Sequence, residues 1–115
     1  MHELSLAAEI LRLVQDAAAR EHFQRVAMLR LEAGALAGVE VGALRFALDA
    51  VAPGTCLAGA QIDIEEPPGL AWCASCAEEV QIASRADPCP QCGGVPLRPT
   101  GGDALRVLDL LVRPD

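Results

Sequence analysis

The sequence contains no tyrosine, one tryptophan and two phenylalanines among its 115 residues. Stacking platforms for nucleobases are therefore nearly absent. It also lacks lysine: all nine basic residues are arginines, spread from Arg12 to Arg113 without a cluster, against sixteen acids and a formal charge of −7. That balance excludes a surface built to neutralise phosphates, so nucleic acid is not expected as a partner. No apolar run approaches the roughly eighteen residues that a membrane-spanning helix needs. The first residues carry an acid where a secretory leader carries positive charge, and Glu9 and Arg12 interrupt the early apolar stretch. A cytoplasmic protein is expected. With only His2 and His22 as histidines, no Ser-His-Asp or Cys-His set can be assembled, and no glycine-rich phosphate loop occurs. An enzyme is not expected.

Hydrophobic residues make up 52% of the chain, so a core of alanine, leucine and valine can be filled. Leu6, Ala7, Ile10, Leu11, Leu13, Val14, Ala17 and Ala18 recur at helical spacing. From Val26 to Ala33 the period falls to two, with Leu29 and Leu31 opposite Arg30 and Glu32, and Gly34 ends the run. A second helical stripe, Val41, Leu44, Ala47, Leu48 and Val51, stops at Pro53. Ile62 and Ile64 alternate with Asp63 and Glu65 until Pro67 and Pro68 forbid further ladder pairing. The segment ALRVLDLLV after Gly101 and Gly102 reads as a third strand. The expected fold is α+β: two helices packed on a three-stranded sheet, with a small inserted zinc-ribbon-like domain. The body comprises residues 1–68 and 103–115 and the insert 69–102.

Cysteine is the residue type that is unexpectedly frequent. Five occur, and in a reducing compartment they point to metal or redox chemistry before disulfides. Four fall in two C-x-x-C knuckles, Cys73 and Cys76 in CASC, then twelve residues, then Cys89 and Cys92 in CPQC. Two intervening residues let both sulfurs of a knuckle reach one ion at about 2.3 Å, and four thiolates close a tetrahedron suited to structural zinc. Four thiolates also leave no open position for catalysis. A single iron, as in rubredoxin-like electron carriers, is the competing occupant. So small an insert is not expected to have a core of its own, so the metal would supply its folding energy. Cys56 stands alone and reads as a small buried hydrophobe.

The start of the chain is a second metal candidate. A free amine on Met1, the deprotonated amide of His2 and its imidazole Nδ1 would close two chelate rings in one plane, an arrangement that favours Ni(II) or Cu(II). Glu3 could add a carboxylate or its backbone nitrogen.

MHELSLA at the start, RLEAGALAGVEVGALRFALD, the paired knuckles and the late TGGDALRV together resemble the HypA/HybF family of hydrogenase maturation factors, almost end to end. The resemblance implies a nickel metallochaperone. In that reading Met1, His2 and Glu3 hold labile Ni(II), and Cys73, Cys76, Cys89 and Cys92 hold structural zinc. The accessory GTPase HypB and the [NiFe]-hydrogenase large subunit precursor are the partners. Some members carry histidines beside the knuckles; this insert has none. Glu40 lies in the resembling segment but has no role assignable from sequence. A zinc-ribbon interaction module without labile metal is the alternative.

Overall fold

The computed structural model describes residues 3–114. The elements run α1 (Glu3–Glu21), β1 (Val26–Ala33), α2 (Val41–Val51), β2 (Gln61–Glu65), β3 (Gly69–Cys73), β4 (Glu78–Ile82), β5 (Arg98–Gly101) and β6 (Leu105–Val112). The strands form two three-stranded sheets, ordered β2-β1-β6 and β4-β3-β5. Both helices and the three strands read from the sequence, two from alternation and the third from residue type, are where the sequence places them.

The chain divides into two compact units. The first comprises residues up to Leu31, Glu40–Ile64 and the chain from Val107 onward. Its core follows from the periodicities: Ala7, Ile10 and Val14 on α1, Leu44, Ala47 and Leu48 on α2, and Val26, Leu29 and Ile62 on strands are all buried. Burying a valine, leucine or isoleucine side chain contributes about 1.5–3 kcal/mol, and nine of them are buried among the described residues of this unit, which they carry without aromatic anchors. α1 extends a turn beyond the predicted stripe at its C-terminal end, to Glu21. It ends where His22 takes a left-handed conformation, φ 61°, and the Phe23 amide donates back to the Ala18 carbonyl at 3.1 Å. That satisfies a carbonyl the helix end would leave open. On the polar face of β1 the Arg30 guanidinium donates to the Asp109 carboxylate of β6 at 2.7 Å.

The second unit comprises Glu32–Val39 and Glu65–Arg106. In its sheet β3 is central and antiparallel to both neighbours, with Gly69 opposite Ile82 and Cys73 opposite Glu78 on one side. On the other side Ala71 faces Pro99 and Trp72 faces Arg98. Contrary to the sequence expectation, this unit has a core: Leu36, Ala71, Cys73, Val80, Ile82 and Cys89 are buried together, with Cys76 and Leu97 packed against them. Leu36 lies outside the 69–102 insert. It is brought in because Gly34 donates to the Ala104 carbonyl at 3.0 Å and Leu36 to that of Gly102 at 2.8 Å, while Arg85 Nε donates to the Leu36 carbonyl at 3.3 Å. The approach at Gly34 is so close that a Cβ there would sit 2.1 Å from the Gly102 oxygen. Only glycine fits.

Candidate metal centre

Each knuckle is built from a strand or a tight turn that leaves two sulfurs on one side. Cys73 ends β3 and is buried; the chain then turns through Ala74 and Ser75 to half-buried Cys76. Ala77 follows in a left-handed conformation, φ 53°, and β4 begins at Glu78. The second knuckle repeats this geometry without a strand. Cys89 is buried, Cys92 exposed, and the next residue, Gly93, is again left-handed at φ 73°. The Gly93 amide donates to the Cys89 carbonyl at 2.8 Å, and the Cys89 amide to that of Gly94 at 3.0 Å, closing the loop. The Gly94 amide also points at the Cys92 sulfur, 3.4 Å away. Such a donor stabilises a thiolate.

The four sulfurs converge. Cys73 and Cys92 Sγ are 3.7 Å apart, Cys76 and Cys89 Sγ 3.9 Å apart, and all four ligand atoms lie within 4.8 Å of one another. A regular tetrahedron with metal–sulfur bonds of about 2.3 Å has edges of roughly 3.8 Å, so the donor set fits a single zinc-sized ion. These separations are far too long for a disulfide, whose sulfurs lie about 2.05 Å apart, and all four cysteines are free thiols, as is half-buried Cys56. In the thiol state the protons are unevenly held. A backbone amide of Cys92 lowers the Cys89 thiol to about 7. Hydrogen bonding to the Cys92 sulfur, with burial adding to it, pushes Cys76 up to about 12. An incoming cation must displace the protons of the raised thiols, as expected for zinc binding coupled to deprotonation. Tetrathiolate coordination leaves no ligand position for a substrate, so this arrangement can hold and stiffen but not catalyse.

Of the N-terminal candidates, Met1 and His2 lie outside the described residues. Glu3 is the first residue of α1, half-buried, and its Oε2 accepts the backbone amide of Glu40 at 3.2 Å. Glu40 is the residue that sequence reasoning left without a role. It caps α2, with Oε1 accepting from Gly42 N at 2.8 Å and Ala43 N at 3.3 Å. Glutamate is outside the usual capping set of Ser, Thr, Asp and Asn, so composition offered no cue. One residue thus terminates the helix with its side chain and holds Glu3 with its amide.

A family profile described as hydrogenase/urease nickel incorporation metallochaperone HypA matches residues 1–112. The chain belongs to the HypA family. HypA proteins are metallochaperones of hydrogenase maturation, not enzymes. The hydrogenase maturation factor HypA of Cupriavidus necator is 63% identical over 112 residues, covering 97% of this chain and 94% of that protein. That of Polaromonas naphthalenivorans is 60% identical, with 97% of each chain covered. The solution structure of the nickel metallochaperone HypA from Helicobacter pylori superposes with a TM-score of 0.69 over 100% of both chains at 17% identity, a likeness of fold. Among the described residues no helix is long and apolar enough to cross a membrane.

Proposed function

We propose that this chain carries Ni(II) at its N-terminus and delivers it to the [NiFe]-hydrogenase large subunit precursor, together with the GTPase HypB, in the cytoplasm. The observation that carries this reading is the HypA match from residue 1 to residue 112, which takes in Met1, His2 and Glu3 as well as both knuckles. In this reading Met1 supplies its amine, His2 its amide and imidazole, and Glu3 a further donor, while Cys73, Cys76, Cys89 and Cys92 hold zinc permanently. The grip of the Glu40 amide on Glu3 supports it, because a carboxylate held by a rigid helix start loses less freedom on binding.

The test is calorimetric Ni(II) titration of untagged protein beside protein extended by one residue before Met1. The extension removes the amine from the chelate, so nickel binding should be lost, and His2→Ala should abolish it by removing the imidazole. Zinc content should be unchanged in both. Equal binding by the extended and untagged proteins would leave a zinc-ribbon interaction module without labile metal.

A further inference from the structure

β4 is an edge strand, with only β3 beside it in the order β4-β3-β5. In an antiparallel ladder alternate residues turn their N–H and C=O away from the partner, so part of the backbone between Glu78 and Ile82 faces outward. Beside this edge lies a groove of about 890 Å³. Pro68, Pro88 and Pro90 line it together with Glu79, Gln81 and Asp87. Edge strands are usually blunted by lysine, by a proline within the strand or by a covering element. β4 has no lysine or proline; Glu78 and Glu79 are its only charged residues, so what guards this edge is negative charge alone, which a basic segment would neutralise.

Two features of the groove define what fits. Its lining includes two carboxylates, those of Glu79 and Asp87, and no basic residue. Thr100 of β5 donates to Glu79 at 2.7 Å, which draws that carboxylate over β3, and the amides of Ala83 and Ser84 donate to Asp87 at 2.9 and 3.1 Å. Both acids are held in place yet retain lone pairs, and only a long basic side chain reaching over β4 meets Glu79. Along β4, Glu79 and Gln81 are exposed, whereas Val80 and Ile82 point into the unit's core beside Cys89, the residue between the two prolines. One face of an added strand would therefore meet acid and amide groups, and the other the apolar proline wall.

We propose that the β4 edge is a docking site for an extended segment of a partner polypeptide in which basic and small apolar residues alternate. Main-chain hydrogen bonds to the open edge give affinity, and charge pairing with Glu79 and Asp87 gives direction and selectivity. A second copy of this chain is a poor occupant. Antiparallel self-pairing of β4 would set Glu78 opposite Ile82 and Glu79 opposite Gln81, with the two Glu79 residues diagonal to each other at about 7–8 Å, so it forms no pair of opposite charge. The site goes beyond the nickel reading and uses none of its residues, so either can fail alone.

The probe is the peptide acetyl-Lys-Val-Lys-Val-Lys-Val-amide, titrated into zinc-loaded, nickel-free protein and followed by amide chemical shifts. Shifts should concentrate in residues 78–91. A peptide N-methylated at alternate residues, in the register that would pair with β4, cannot add a strand and should bind about tenfold or more weakly, as expected for several lost main-chain bonds. Replacing its lysines by glutamate should remove binding. Glu79→Gln, which can still accept from Thr100, should weaken it roughly two- to fivefold, as one exposed ion pair does. Equal binding by the N-methylated peptide, shifts centred elsewhere, or no binding at millimolar peptide would overturn the proposal. Concentration-dependent shifts of the same amides without peptide would overturn it too, in favour of self-association.

Discussion

Ala77 occupies a position where the backbone asks for glycine. Its counterpart in the second knuckle is Gly93, and both are left-handed, but only Ala77 carries a Cβ into that region. A non-glycine residue there costs about 1 kcal/mol. Ala77→Gly should therefore stabilise the second unit by up to that amount, less the greater chain freedom it gives the unfolded state. The readout is slower loss of zinc to a chelator at fixed temperature. Glu40 is the opposite case, a residue whose removal should hurt twice. Glu40→Ala leaves the Gly42 and Ala43 amides without their acceptor, which costs about 0.5–2 kcal/mol and shows as a lower melting temperature. It keeps the backbone amide that holds Glu3, so it should soften the proposed nickel site without erasing it. Calorimetry should then show weakened Ni(II) binding, where His2→Ala shows none.

At the scale of elements, the knuckles and their sheet stand or fall together. Cys73 lies at the end of β3, and Cys73, Cys76 and Cys89 belong to the same cluster as Ala71, Val80 and Ile82. Cys76→Ala or Cys92→Ala should abolish stoichiometric zinc and melt β3, β4 and β5, while α1 and α2 persist because their core is separate. Helical circular dichroism with metal analysis checks this, and loss of the helical signal would contradict two separate cores. Acid should release the metal by the same chemistry. Zinc binding displaces a proton from any thiol still protonated at the ambient pH. Cys76, raised to about 12, gives one up throughout the neutral range; Cys89, lowered to about 7, adds another only below that value. Apparent zinc affinity should therefore fall with falling pH, and more steeply below about pH 7, in competition titrations with a chromophoric chelator. Gly34→Ala should also unseat the second unit, since its Cβ would lie 2.1 Å from a backbone oxygen that cannot move independently. A loss of 1–3 kcal/mol or more is expected, as for other overpacked sites.

For the whole molecule, sixteen acids against nine arginines set the long-range field. A chain of this charge should not retain duplex DNA at ordinary salt, because no cluster of cations is present to release counterions. Micromolar binding with a steep salt slope in an anisotropy titration would contradict this. The same field should speed encounter with basic partner surfaces, and that rate should drop as ionic strength rises.

Much of this molecule is written in short-range pattern. Helical stripes such as Ala7, Ile10 and Val14, and the alternation of Leu29 and Leu31 with Arg30 and Glu32, depend on a residue's neighbours a turn or a pleat away, so they are legible in one dimension. The two C-x-x-C knuckles are legible for the same reason: each pair of sulfurs is set by four consecutive residues. Other features come from pairings that no local window contains. β3 and β5, Gly-Leu-Ala-Trp-Cys and Arg-Pro-Thr-Gly, carry no alternation of polar and apolar residues, β4 shows it only at Val80 and Ile82, and their register rests on partners up to 31 positions distant, as with Leu70 and Gly101. Leu36 lies beyond Gly34, where the pattern of β1 has ended, yet hydrogen bonds to Gly102 and Arg85 bring it into the core of the second unit. Glu40 looks like one more surface acid until α2 begins behind it and Glu3 is brought against its amide. The sequence by itself determined the helices, the three strands of the first sheet and the four thiols that could hold a metal, because each is a matter of spacing along the chain. Only the tertiary structure decided which unit Leu36 serves and what Glu40 does, because both depend on backbone groups brought together from distant parts of the chain.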